Sequence, residues 1–412
     1  MRRDERRTAT ETWSGHVAPE VDMRRWCIGT AFIVLGGCGG GNSGGSSTVA
    51  MTVHPGESIQ AAINAAPTHA TIVVEPGVYH ETPAGPTAIT ISKDGIALIG
   101  RSTPDHPVVL ENAGGQKNGI VVAPADSVEV SEVEPPGEHP PCGTNSNLVH
   151  QFVLQGFTVR GFDQFGVYLA CVDGFTLSDN SADANRLYSL FPVRSHNGTM
   201  SNNDVAHTSD DAALYVGQSD HVTITGNRAH DSLLGIEIEN SSDITATKNQ
   251  AFNNTLGIIA DIMPGLQKMD QVDVMIADND VHDNNLPNTA EGESTGLAPS
   301  GTGVVVLGGS MVTVQNNRIG NNGFAGIIVA SFCSGGSAPC TGLDIDPDPE
   351  GNRILNNELT NNGTAPPADP ILAALAADLI WDKTGMGNCW SGNTPTATTK
   401  ILGGGRQLPA CS

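Results

Sequence analysis

From about position 165 onward the chain alternates between short apolar-polar runs and polar turns, and the runs are copies of one another. Gly166-Val-Tyr-Leu-Ala170, Ala213-Leu-Tyr-Val-Gly217, Gly235-Ile-Glu-Ile-Glu239, Gly257-Ile-Ile-Ala-Asp261, Gly303-Val-Val-Val-Leu307 and Gly326-Ile-Ile-Val-Ala330 align without gaps. Alternation of period two predicts a short strand whose second and fourth residues face the interior. A further alternating run, as in His221-Val-Thr-Ile-Thr225 and Asp243-Ile-Thr-Ala-Thr247, predicts another short strand in each repeat. Turns marked by Asn separate these runs. Asn180-Ser-Ala-Asp-Ala-Asn185, Asn227-Arg-Ala-His-Asp-Ser232, Asn249-Gln-Ala-Phe-Asn-Asn254, Asn279-Asp-Val-His-Asp-Asn284, Asn317-Arg-Ile-Gly-Asn-Asn322 and Asn357-Glu-Leu-Thr-Asn-Asn362 share a pattern, with Asn203-Asp-Val-Ala-His207 a degenerate copy. From Asn180 to Asn249 the first Asn recurs at spacings of 23, 24 and 22 residues; beyond it the spacings widen to 30, 38 and 40, which predicts loop insertions.

Strands of three to five residues that all run in one sense are too short to pack as hairpins. Coiling solves the problem: each rung of about 22 residues pairs in parallel with the next, about 4.8 Å away. Like residues then stack on like, so inward Ile and Val form ladders and the turn Asn residues bond along the stack. The fold class is therefore all-β, a parallel β-helix, over 50–364. Ahead of it, Ile59, Ala62, Ile63 and Ala66 share one face of a short helix, with Ser58 as N-cap and Pro67 as stop. Such a helix covers the open end of a solenoid. The acidic, Pro-rich stretch 123–147 reads as a surface loop pinned by Cys142, and 365–412 departs from the repeat and reads as a C-terminal cap.

The segment His54-Pro-Gly-Glu-Ser-Ile-Gln-Ala-Ala-Ile63, the later Glu75-Pro-Gly-Val-Tyr79 and the Asn-turn repeats resemble the right-handed parallel β-helix proteins with the pectate-lyase-like fold. Asp211-Ala-Ala-Leu-Tyr-Val-Gly-Gln-Ser219, Gly235-Ile-Glu-Ile-Glu-Asn240, Asp378-Leu-Ile-Trp-Asp382 and Gly387-Asn-Cys-Trp390 resemble, more narrowly, bacterial β-helix lipoproteins and secreted proteins of uncharacterised function. The resemblance spans roughly 53–411. It implies the fold; it implies no one activity, because this fold hosts lyases, hydrolases, epimerases, tailspikes and non-enzymatic binders.

Composition narrows the partners. A net charge of −24, from 44 acidic and 20 basic residues, argues against DNA or RNA, which need clustered Lys and Arg. Eight cysteines suit an oxidising compartment. Setting aside Cys27 and Cys38, six allow fifteen pairings, and chain order favours Cys142–Cys171, Cys333–Cys340 and Cys389–Cys411, each bracketing one irregular segment. Residues 1–38 form a leader in which Met23-Arg-Arg25 is a basic n-region and Trp26 to Gly37 an apolar h-region, with Met23 as the expected start. Leu35-Gly-Gly-Cys38 resembles the bacterial lipobox, which makes Cys38 a lipidation site; the ordinary cleaved signal is the competing reading. The Gly/Ser/Asn stretch 39–49 would tether a monomer that meets the membrane only through its lipid anchor.

Candidate chemistry lies on the strand that starts at Gly235. With Ile236 and Ile238 inward, Glu237 and Glu239 face out; Asp261 falls in the Glu239 column one rung on, and Tyr215 in the Glu237 column one rung back. Asp210 and Asp211 precede the Tyr215 strand, and Arg194 and His196 lie a rung earlier. Carboxylates beside a cation such as Arg194 can hold Ca²⁺ against a uronate and deprotonate a sugar carbon, with Asp210 and Asp211 as metal ligands. Two carboxylates can alternatively serve a glycosidase as acid and base. On a chain this acidic, neighbouring outward carboxylates are more simply what a solvated face presents by chance. His207, His230 and His282 sit in turns of separate rungs and decorate the side. The Asp/His tetrapeptide typical of alginate epimerases, GxSxG, a phosphate loop and HExxH are absent from the sequence.

Two functions of different class follow: an exported envelope lipoprotein that binds and processes an extended polysaccharide, or a non-catalytic scaffold that presents the solenoid to an envelope protein partner. For the anchor, Cys38→Ser is expected to move the protein from the membrane to the soluble fraction. A cleaved-signal protein would fractionate identically with or without the substitution.

Overall fold

The computed structural model describes residues 49–82, 85–127, 142, 147–290, 295, 298–335, 340–394, 398–402 and 407–412. The leader with Cys38, the tether and most of the 123–147 loop lie outside the described residues. Each rung gives one strand to each of three sheets, which hold 12, 11 and 10 strands among the described residues. Neighbouring strands pair in parallel and in the register the repeat predicts, so the chain is a parallel β-helix. The second positions of the aligned strands stack as one inward column, from Val167 through Leu190, Leu214, Ile236, Ile258, Val304 and Ile327 to Leu379. All are buried; burying an aliphatic side chain of this size stabilises by about 1.5–3 kcal/mol relative to exposing it.

The turn Asn residues form the second inward feature. Asn180, Asn203, Asn227, Asn249, Asn279, Asn317, Asn357 and Asn393 are stacked so that each donates from its backbone N–H and its Nδ2 to the Oδ1 of the next. The second Nδ2 hydrogen goes to a strand carbonyl, as from Asn227 to Met200 at 2.9 Å. These amides therefore turn a buried bend into a fully paired one. The residue just before each ladder Asn is left-handed, with φ between 53° at Asn356 and 68° at Gly226. Asp, Asn and Gly fill seven of the eight positions, the types that tolerate this region, and Lys248 is the eighth.

A parallel ladder formed by the second amide of the motif explains why most aligned strands open with Gly. A Cβ at Gly235 would lie 2.9 Å from Asn254 Nδ2 and 2.5 Å from the Gly257 carbonyl oxygen. Where the facing turn residue shrinks to Thr208 or Ser232, the strand opens with Ser189 or Ala213 instead. Insertions leave both ladders intact: Asn279 still meets Asn317 across 38 residues at 3.0 Å.

The N-terminal end is closed by a helix. Helix α1 (Ile59–Ala65) is capped as expected, with Ser58 Oγ accepting from the Ala61 N–H at 3.0 Å, and its Ile59 and Ile63 are buried. Glu81 adds a second cap by accepting from Ser58 Oγ at 2.7 Å and the Ile59 N–H at 2.5 Å. At the other end the expected boundary at residue 365 is corrected, because the solenoid runs on past it. Ala377–Trp381 pairs with Ala325–Ala330, and Asn388 and Asn393 extend the turn ladders. Helix α2 (Pro370–Leu375), capped by Asp369, is an insertion within this rung. Disulfides join Cys142 to Cys171, Cys333 to Cys340 and Cys389 to Cys411. Among the described residues no helix is long and apolar enough to cross a membrane.

Asn227→Ala strands two Asn203 donors and the Met200 carbonyl in the interior. At about 1–3 kcal/mol per buried unsatisfied group, a loss of about 3 kcal/mol or more is expected in urea unfolding. Asn393→Ala frees the equivalent Asn357 donors and Ile354 carbonyl at a half-exposed position where water can replace the amide, so it should cost less than half as much; equal losses would show that burial does not set the cost.

Candidate functional site

The site grows from the outward face of the 11-stranded sheet, where the strands Tyr188–Val193, Ala212–Gly217, Leu234–Glu239 and Leu256–Asp261 lie side by side. Tyr215 pairs with Glu237 and Glu239 with Asp261, the register expected from the sequence. What the alternation does not reveal is that this outward face is covered. Glu237, Glu239, Asp261 and Asp211 are only 6%, 6%, 4% and 3% exposed, so the solvated acidic face weighed above is not what they form. Phe165, Tyr168, Tyr188, Phe191 and Tyr215 pack around one another with ring centroids 4.3–5.9 Å apart and make a second, outer apolar cluster beside the acids.

Within this setting one oxygen from each of Glu237, Glu239 and Asp261 lies within 4.8 Å of the others. The Tyr188 hydroxyl donates to Asp211 Oδ2 at 2.9 Å, and the Tyr215 hydroxyl donates to Glu239 Oε1. Asp211 and Glu237 are neighbours in the cluster and influence each other's proton affinity. Asp211 Oδ1, Glu237 Oε2 and Asp261 Oδ1 accept no hydrogen bond from any described residue. The group borders a cavity of about 220 Å³ that Tyr188, Asp211, Glu237, Glu239 and Asp261 line at one end.

Burial dominates the electrostatics, since it penalises the charged form. It pushes Asp211 and Glu239 up to about 7, against the opposing pull of the tyrosine hydroxyls that donate to them. Glu237 and Asp261 are held well above the usual carboxylate range, first by burial and then by the neighbouring acids. The environments thus split the four groups. Asp211 and Glu239, with O–H donors, take negative charge first, whereas Glu237 and Asp261 keep their protons longest. Carboxyl groups set in unlike environments, two accepting an O–H and two not, are the arrangement in which one can donate a proton and another accept it.

The other expected site residues are placed differently. Asp210 and Asp211, expected to act together on a metal, point apart, as consecutive residues of an extended chain do. Asp211 enters the cluster, whereas Asp210 faces solvent, 3.3 Å from Arg186 Nε. Arg194 does not line the cavity; it is buried against Tyr168 and Tyr215, and burial lowers its pKa. His196 pairs with Asp220 at 2.8 Å on a different sheet. His207 pairs with Asp183, and His230 and His282 stack on either side of Phe252. Tyr188 is the functional side chain the sequence pattern missed. Its strand, 188–193, opens with Tyr-Ser rather than Gly and so falls outside the aligned copies; spacing from the Tyr215 strand was the signal available.

Acids with raised pKa values hold protons in the folded state that the unfolded chain releases. The sign is fixed: their contribution is fully present below pH 4 and is lost as pH rises through about 7. In EDTA, thermal unfolding is expected to show a falling melting temperature from pH 5 to pH 8. Glu237→Gln should flatten that slope and stabilise the protein at pH 8 by about 1–3 kcal/mol. A slope unchanged by the substitution would mean that Glu237 carries no raised pKa.

Comparison with known proteins follows the architecture. No curated protein matches the sequence. Among solved structures, the A-module of mannuronan C-5 epimerase AlgE4 from Azotobacter vinelandii superposes with a TM-score of 0.57 at 17% identity, over 84% of this chain and 83% of that one. The Dettilon tailspike protein gives 0.53 at 12% identity, over 86% and 60%. DFA-IIIase from Arthrobacter chlorophenolicus A6, solved in complex with GF2, gives 0.51 at 13%, over 81% of both chains. At these identities the likeness establishes the fold. The family model for the right handed beta helix region matches residues 108–261 and 165–338, which together span more than half of the sequence, and with the three parallel sheets described above it shows that the chain belongs to the right-handed parallel β-helix family.

Proposed function

We propose that this chain is an exported carbohydrate-processing β-helix protein whose buried acid cluster does general acid–base work on a glycosidic linkage. The observation that carries the reading is the gathering of four buried carboxyl groups, three with an oxygen left unpartnered, at the end of a cavity. Leaving such atoms unpaired costs about 1–3 kcal/mol each. Structural salt bridges do not look like this, because no cation is set against the cluster among the described cavity-lining residues.

The roles follow from the proton affinities. Glu237, whose proton affinity burial raises, donates its proton to the departing glycosidic oxygen. Glu239, held by the Tyr215 hydroxyl and the first to ionise with Asp211, attacks the anomeric carbon or takes the proton of an incoming water. Tyr188 orients Asp211, whose carboxyl group returns a proton to Glu237 after turnover. Disulfides at three places suit an oxidising, extracytoplasmic location, and anchoring through Cys38 belongs to this proposal. The solved epimerase of like fold is named for mannuronan, which supports a carbohydrate in the groove.

A second reading adds a divalent cation. The donor set of Glu237, Glu239 and Asp261 is all oxygen and fits Ca²⁺, whose ligands lie about 2.3–2.6 Å from the ion. Bound there, the ion would neutralise negative charge developing on a sugar.

The test is turnover. Purified protein is incubated with a panel of neutral and uronate glycans, with and without Ca²⁺, and both reducing ends and absorbance at about 235 nm are followed. New reducing ends that fall at least about 100-fold with Glu237→Gln or Glu239→Gln are the expected result. Activity that survives both would place the reaction elsewhere, and no product from any glycan would favour the scaffold function. A Ca²⁺-dependent rise in melting temperature that Asp261→Asn removes is expected only if the cation binds.

A further inference from the structure

The cavity does not end at the acids. The outward column that holds Tyr215 and Glu237 continues, rung by rung, through Ile259, Val305, Ile328 and Ile380 before it reaches Lys400. The four aliphatic residues all line the cavity, and Ile259 and Ile328 stay only half-buried beneath it. Four strand spacings of about 4.8 Å separate Glu237 from Ile380, so the floor is about 19 Å long. Leu372 and Leu375 of α2 form a wall beside it. Outward positions of a solvated sheet are polar, and a groove built for sugar hydroxyls needs donors and acceptors along its length. Beyond the acids the column itself offers no polar group; Asp382, the charged residue lining the far end, already accepts from Ser331, Ser334 and Thr384.

Charge adds a second constraint. Among the described residues lining the cavity there is no Lys, Arg or His, whereas Asp211, Glu237, Glu239 and Asp261 all face it. A polyanionic glycan would enter against five carboxyl groups, Asp382 included, with no opposing cation among the described lining residues.

We infer that the ligand is a neutral, amphipathic glycoside: a sugar placed at the acid cluster and a long alkyl or acyl aglycone laid along Ile259, Val305, Ile328 and Ile380. The inference rests on the acid–base reading for the sugar end, and on the register and chemistry of the column for the apolar end. It makes the aliphatic column the determinant of specificity, distinct from the groups that act on the linkage. An exported protein with this preference meets its ligand at a membrane surface, where such glycosides partition.

The probes are n-alkyl β-D-glucosides from methyl to decyl, each held below its micellar concentration, with binding measured by calorimetry on the full exported chain in EDTA. Affinity is expected to rise roughly fourfold per added methylene until the floor is filled. Ile328→Asp should remove most of that increment, and Ile328→Ser, included in case the aspartate prevents folding, should remove part of it. Glu237→Gln should leave the increment intact. Affinity independent of chain length overturns the inference, as does an increment unchanged in both Ile328 variants, which would place alkyl binding elsewhere. Mannuronan oligomers binding more tightly than octyl glucoside in EDTA overturn it too, as does concentration-dependent dimerisation abolished by Ile328→Ser, which would make a second copy the occupant. A normal increment with no turnover of any glycoside supports the apolar site while overturning the acid–base reading alone.

Discussion

Everything in this molecule is referred to the stacked amides of the turns. A solenoid made from strands of three to seven residues gains little from any single strand, and each bend buries backbone groups that water cannot reach. The Asn column resolves both difficulties at once. Each side chain pairs its own bend, fixes the height of the next rung by donating to it and offers its Oδ1 as acceptor to the rung before. Register then propagates without long strands, and the alternation of inward and outward residues stays in phase over the length of the stack. The inward Val and Ile columns and the left-handed residue before each ladder Asn are consequences of that one stack, and the Gly openings follow from the parallel ladder of second amides.

The same constraint frees the outward face. Because height and phase are set by the turns, outward side chains of the 11-stranded sheet can become aromatic, acidic or aliphatic without disturbing the core. The chain uses this freedom in order: an aromatic block from Phe165 to Tyr215, an acid block at Asp211, Glu237, Glu239 and Asp261, then an aliphatic block toward Ile380. Aromatic burial is what drives the acids out of water. Their proton affinities are thus produced by residues a rung or more away, and the split between tyrosine-paired and unpaired carboxyl groups follows from where two hydroxyls fall.

Sequence legibility divides along the same line. Period-two alternation and Asn spacing depend on local chemistry repeated many times, so fold, register and the Glu237–Glu239–Asp261 grouping are readable from one chain. Burial of those carboxyl groups is not, because the cover includes Tyr188 and Phe191 of strand 188–193, which lacks the Gly that marks its relatives, and the insert residues Ala290 and Ala298. Asp210 and Asp211 read as a pair in sequence, yet the extended backbone sends them to opposite sides. The sequence pattern ends before the solenoid does for a related reason. After Asn362 the Asn-x-small-x-amide pattern lapses, although Asn388 and Asn393 keep the ladder bonds.

The parallel pairing of the acid-bearing strands has a consequence for how such a site can evolve. Asp211, Glu237 and Asp261 come from successive rungs, so their separation along the axis is counted in whole strand spacings fixed by backbone hydrogen bonds. Geometry on this scaffold changes in steps: by moving a carboxyl group one rung, or by exchanging Asp for Glu to gain or lose one methylene of reach. The fold behaves as a ruled scale, and new chemistry on it is reached by selecting marks rather than by bending the rule.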